Sequence, residues 1–121
     1  MTLQYLDFDY SEDALGYGAF EAMATVPSAR LSALQTEIVR VLAWAHEAFP
    51  GEQGPLEEGG VWDYLLEGQR EWSEPQAMAY DRLTQRISSQ PGPVGEPRHT
   101  VTLSLSGNAQ FCDAFRDAFG L

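Results

Sequence analysis

The stretch Leu6–Asp13, LDFDYSED, sets four carboxylates within eight residues, two of them as the alternating pair Asp7 and Asp9. With the hydroxyl of Ser11 next in the alternation, this is an oxygen-rich donor set of the kind that holds a divalent cation or a phosphoryl group. The same spacing arises when alternate residues of a strand face water. What lies on either side of the pair decides between the two.

An Asp-x-Asp closing a first strand resembles the nucleophile motif of haloacid-dehalogenase-like phosphatases, with Asp7 and Asp9 in the acidic roles and Ser11 following. The resemblance implies a downstream lysine or equivalent cation, a second acidic pair and a far larger parallel-sheet domain. The chain has no lysine among its 121 residues, and its second strand reads as a hairpin partner of the first. Phosphoryl transfer is therefore set aside. An EF-hand frame starting at Asp7 needs glycine at its sixth position and glutamate at its twelfth. The chain has Glu12 and Gly18 there. The acids are then the solvated face of a strand and the start of a turn, with Asp7, Asp9 and Glu21 expected on one sheet face. No metal is expected.

His46, His99 and Cys112 could serve as base and nucleophile if the fold united them. Cys112, however, shares a helix flank with Phe111, Phe115 and Phe119, which predicts a buried, inert thiol. No Gly-x-Ser-x-Gly, HExxH or glycine-rich phosphate loop occurs. Aromatics beside acids, namely Trp62, Tyr64 and Trp72 with Glu67 and the Glu57–Glu58 pair, could line a pocket for a cationic or sugar-like ligand. Tyr5, Tyr17 and Met23 on an open sheet face, with Trp44 off the apolar stripe of its helix, form a candidate protein interface.

The net charge is −11, and all seven basic residues are arginine. Without lysine there is no Schiff-base or P-loop chemistry, and without a basic stripe there is no phosphate-neutralising surface for nucleic acid. Acids cluster in residues 1–27, five without a base, and in residues 51–74, seven against Arg70 alone. Such a field favours solubility and attracts a basic partner. The one cysteine allows no internal disulfide, and no membrane span or signal peptide is read. A cytoplasmic, bacterial-type protein of one domain, residues 1–121, is expected.

These side chains need a scaffold. Residues 4–10 alternate, with Leu6, Phe8 and Tyr10 inward, and a polar turn leads to a second strand, YGAFEAMATV. PSARLSALQTEIVRVLAWAHEAFPG carries a helical stripe through Leu31, Leu34, Ile38, Val41, Leu42, Ala45 and Phe49; Ser28 or Ser32 is its expected cap and Pro50-Gly51 its stop. GVWDYLLE reads as a third strand. WSEPQAMAYDRLTQRI reads as a second helix ending near Ser89, with a Ser73/Gln76 capping box, Pro75 in the first turn, and Ala79, Leu83 and Ile87 four apart. RHTVTLSLS is a strand, and GNAQFCDAFRDAFG a helix capped by Asn108. The expected fold is α+β, a two-layer sandwich of about four mostly antiparallel strands with helices on one face, in the order β-β-α-β-α-β-α.

The function these readings favour is non-catalytic: a protein acting by protein–protein contact, as an inhibitor or immunity-type protein or as a homo-oligomer, with a basic protein or itself as partner and no cofactor. The competing reading is a small-ligand-binding domain or minor enzyme built on Trp62, Tyr64, Trp72 and Glu67.

Overall fold

The computed structural model describes residues 2–121. It contains six strands and two long helices: β1 (Asp9–Glu12), β2 (Gly18–Pro27), α1 (Ser28–Ala48), β3 (Trp62–Glu71), β4 (Gln76–Asp81), β5 (Arg86–Pro91), β6 (Arg98–Gly107) and α2 (Ala109–Phe119). A single 3-10 turn, Leu56–Glu58, lies between α1 and β3. Mixed helices and antiparallel sheets make the chain an α+β protein, as its periodicities predict.

Four strands form one antiparallel sheet in the order β1-β2-β6-β3. Alternation in β2 and β6 positions the core. Phe20, Ala22, Ala24 and Val26 from β2 are buried with Leu103 and Leu105 from β6, beneath Leu34, Ile38, Val41 and Ala45 of α1 and Phe111, Phe115 and Phe119 of α2. The intervening residues, Glu21, Met23 and Thr25 against Thr100, Thr102 and Ser104, form the open face. Period two on the strands and period 3.6 on the helices meet in one core, because each element has one face to bury. Burying seven phenylalanine, tryptophan or leucine side chains completely among the described residues, at about 1.5–3 kcal/mol each, is the main favourable term.

Two local features let α2 close on the sheet. Asn108 caps it, its side-chain oxygen accepting the Phe111 amide at 2.9 Å. Gly107 carries no side chain where the Phe111 ring lies; an added Cβ would clash with that ring. At the far end Gly120 takes φ 67°, the left-handed residue that ends helices.

Several sequence expectations need correction. The first strand is shorter and later, Asp9–Glu12 in place of residues 4–10, although Leu6 is buried and Phe8 packs on Phe20 and Phe115 as its parity demands. Residues 4–6 bond to a side chain instead of a strand: Glu37, a buried acid on α1, accepts the amides of Gln4, Tyr5 and Leu6. Neither Ser28 nor Ser32 caps α1. Pro27 holds the cap position without a side-chain bond, and the Ser28 hydroxyl meets His99 Nε2 at 2.9 Å.

The largest correction concerns the second expected helix. Residues 76–91 form an antiparallel hairpin, β4 with β5, so the order is β-β-α-β-β-β-β-α and the expected β-β-α-β-α-β-α does not hold. The capping-box residues do other work: Ser73 accepts the Gly95 amide at 2.9 Å through its backbone carbonyl, and Gln76 Oε1 accepts the Ser89 hydroxyl. The third strand runs longer than GVWDYLLE, to Glu71.

Candidate interaction surface

Strand β3 and strand β6 pair over ten residues, from Trp62 opposite Gly107 to Glu71 opposite Arg98. Past that point the two chains continue through linkers 72–75 and 92–97 and pair again as β4 with β5. Backbone bonds tie the linkers together, Gly92 N to Pro75 O at 2.7 Å and Gly95 N to Ser73 O. The hairpin is thus an arm prolonging the edge of the sheet. At about 3.3 Å per residue its six-residue strands reach roughly 20 Å beyond the joint.

Every strand residue of the arm is exposed. Its register sorts the side chains into two faces. Tyr80 opposite Ile87 and Met78 opposite Ser89 share one face; Ala77 opposite Gln90, Ala79 opposite Ser88 and Asp81 opposite Arg86 share the other. The first face is apolar, and Tyr80, Met78 and Ile87 are each about two-thirds exposed, at 64%, 66% and 67%. The turn is closed by Asp81, whose Oδ1 accepts the amides of Leu83 and Thr84 and which is thereby held below the usual carboxylate range. Gln85 adopts φ 55°, and Leu83 stands at the tip.

The sheet edge beside the arm is also uncovered. Helix α1 packs over β2 and β6, so the helix side of β3 is covered only at its first residue, Trp62. Tyr64 and Leu66 share Trp62's face yet are 38% and 43% exposed. Between them and α1 runs a groove of about 440 Å³, lined by Gln35, Ile38 and Val39 of α1, Leu66, Glu67 and Gly68 of β3, and Val101 of β6. It continues toward the arm past Leu31, Arg70 and His99. Gly68 keeps it wide, for an added Cβ there would meet no atom within 4 Å. On the opposite side of β3, Asp63, Glu67 and Glu71 alternate with Leu65 and Gln69.

The residues singled out from sequence divide clearly. Trp62 is fully buried, stacked on Phe111 at 5.5 Å, with its indole nitrogen lacking a hydrogen-bond partner. Tyr64 is on the helix side of β3, Glu67 borders the groove although its place in the register is on the open face, and Trp72 sits in the linker under the Arg70 guanidinium at 4.6 Å. These four do not line one pocket. Met23 is exposed on the open sheet face; Tyr17 is at the exposed end of the β1–β2 turn, its amide bonded to Asp13. Tyr5 is half-buried beside Glu37. Trp44, expected at an interface, is half-buried among the rings of Phe49, Phe111, Phe115 and Phe119, because α2 packs on the flank of α1 that the stripe alone left open.

The chemistry-bearing residues are dispersed as well. Asp9 lies directly opposite Glu21 on the open face, and among the described residues no group of three or more His, Cys, Asp or Glu could hold a metal ion. Cys112 is buried, its thiol donating to Gly107 O at 3.5 Å, and burial raises its pKa above the ordinary thiol value. His99 begins β6 at the other end, roughly 26 Å of extended strand from Gly107. His46 packs edge-on to Trp62. Tyr10 has its hydroxyl on Glu12 at 2.7 Å and its ring under the Arg116 guanidinium; the Glu12 bond is the main reason its pKa is raised. Cys112 and His99 thus lie toward opposite ends of β6.

Sequence reasoning missed the arm and the groove. The available signal was the alternation of Met78 and Tyr80 with Ala77, Ala79 and Asp81, outweighed by the four-residue spacing of Ala79, Leu83 and Ile87. Among the described residues no helix is long and apolar enough to cross a membrane. Comparison with protein-family models, curated proteins and solved structures found no match to this chain.

Proposed function

We propose that this chain is a non-catalytic interaction module that acts by protein–protein contact through the β4–β5 arm and the adjoining edge of β3. The observation that carries this reading is the arm itself. A two-stranded ribbon is marginal in water unless it packs on something, and this one presents Met78, Tyr80 and Ile87 on one exposed face. Exposed apolar groups gathered on one face mark a contact surface, whereas scattered ones do not. The cytosolic setting expected from the sequence belongs to this reading.

Charge supports it. Residues 1–71 hold thirteen acids and three arginines, a balance of −10, while the arm and its linkers, residues 72–97, hold three acids and two arginines. The body repels unspecific neighbours and the arm, near neutrality, is the part free to dock. The test is capture on immobilised protein, comparing the native chain with a Met78→Asp, Tyr80→Asp variant of unchanged circular dichroism. The reading expects a protein, another copy included, held by the native chain and lost by the variant. Identical capture by both would end it.

A further inference from the structure

We infer that the arm's partner is a second copy of this chain, with β5 of each copy added to the free edge of β3 of the other. This rests on the interaction reading above and names its occupant.

The molecule carries two unpartnered surfaces that match. One is the arm's apolar face, Met78, Tyr80 and Ile87. The other is the groove between α1 and β3, floored by Leu66 and Val101 and walled by Ile38 and Val39, beside a strand whose outer edge is bridged by Gln53 at Trp62 and carries no further strand from Leu65 to Glu71 among the described residues. Added strands supply main-chain bonds to such an edge, and alternate side chains fill the pocket beside it.

Parity and charge select the strand. When the arm turns its apolar face toward the helices, its other face joins the open side of the sheet. On that side β3 presents Asp63, Glu67 and Glu71. Strand β5 would bring Arg86, Ser88 and Gln90 next to them, whereas β4 would bring Asp81. Opposite charges across strands stabilise and like charges do not, so β5 is the strand that pairs. The same three acids oppose pairing of β3 with β3 of another copy, the way edge strands are commonly blunted.

The contact is intermolecular because the linker bonds at Pro75–Gly92 and Ser73–Gly95 hold the arm in line with its own β3–β6 ladder. Reciprocity gives a closed two-fold dimer, the commonest symmetry of soluble oligomers. Each copy contributes the six residues of β5 with Met78 and Tyr80 of β4, besides the β3 edge and groove it offers, and the contact occurs twice.

Light scattering tests the mass, and two variants test the geometry. Ile87→Asp disrupts the arm's apolar face. Gly68→Val sets a branched side chain into the groove at a position where an added Cβ meets no atom within 4 Å. Both should fold as the native chain does and weaken dimerisation by about 30-fold or more, the size of a hot-spot loss. Leu66→Cys protein mixed with Ile87→Cys protein should yield, on oxidation, a covalent dimer with one chain of each; buried Cys112 does not compete. A monomeric mass at all concentrations overturns the inference, and so does a dimer unaffected by both variants. If the chain is monomeric and Tyr80→Asp still abolishes capture of another protein, the self-pairing falls and the interaction reading stands. If capture is also unchanged, both fall.

Discussion

The carboxylate of Glu37 accepts the amide of Leu6 at 2.7 Å, and together with the bonds to Gln4 and Tyr5 it fastens three consecutive backbone donors to α1. The arrangement does for the segment what a strand partner would have done. It satisfies donors that a buried Leu6 would otherwise leave without partners, and hydrogen bonds to a charged group exceed neutral ones in strength.

Glu37→Gln turns one acceptor into an NH₂ group facing backbone donors. We expect a loss of about 1.5–3 kcal/mol in urea unfolding, with faster amide exchange confined to residues 4–6. A loss under about half a kcal/mol would mean that the bonds are not maintained in solution.

Asp9 and Glu21 oppose one another across the β1–β2 ladder on the open face. Replacing one by lysine converts repulsion into attraction at an exposed cross-strand pair. Glu21→Lys should raise stability by roughly 0.2–1 kcal/mol, and the gain should shrink in high salt. If Asp9→Asn, Glu21→Gln and Glu21→Lys all leave the thermal midpoint unchanged, the pair contributes nothing.

The glycines of the sheet should respond oppositely to alanine. Gly107→Ala sets a methyl against the Phe111 ring and should cost about 1–3 kcal/mol, as overpacked sites do. Gly68→Ala meets open space and removes freedom from the unfolded chain, so it should be neutral or stabilise by up to about 1 kcal/mol. Thermal denaturation of the two proteins side by side would check the contrast.

Cys112 titrates above its ordinary value in the folded chain, chiefly because burial disfavours the thiolate. A pKa raised by folding means that stability from the protonated thiol is whole below the unfolded pKa and is lost as pH rises through the folded one. The thiol should therefore resist a disulfide reagent at neutral pH until denaturant is added. Stability should fall on the alkaline side of pH 9, and Cys112→Ala should remove that part of the decline.

Elements with one buried face were legible in the sequence. Phe20, Ala22, Ala24 and Val26 alternate because α1 covers one side of β2, and the Leu34, Ile38, Val41, Ala45 stripe exists because α1 faces the sheet. The Asn108 cap was equally plain. Residues 76–91 were not legible because neither face of the arm is buried within the single chain, so no core imposes a period. Ala79, Leu83 and Ile87 are four apart without sharing a face: Leu83 belongs to the turn, and Ile87 pairs with Tyr80. The turn lacks the Asn-Gly signature, using Asp81 and a left-handed Gln85 instead. That Trp44 is half-buried was not legible, because a stripe along one helix says nothing about a second helix on its flank. Glu37 sits inside the α1 stripe, and no local pattern announces that its partners are thirty-odd residues away.

Strand β6 lies between β2 and β3 and, among the described residues, is the one strand paired along β3, whose other edge has just the Gln53–Trp62 bridge. The sheet therefore cannot be assembled from its first strands onward. During synthesis α1 and the β1–β2 hairpin can begin to form, but β2 and β3 both wait for residues 98–107, and the core waits for α2. At about 5–20 residues per second the nascent chain spends seconds with apolar strands unpaired, and its folding is governed by late, long-range closure. A chain halted before residue 98 would have an incomplete core and an open β2 edge, making it a natural client for chaperones.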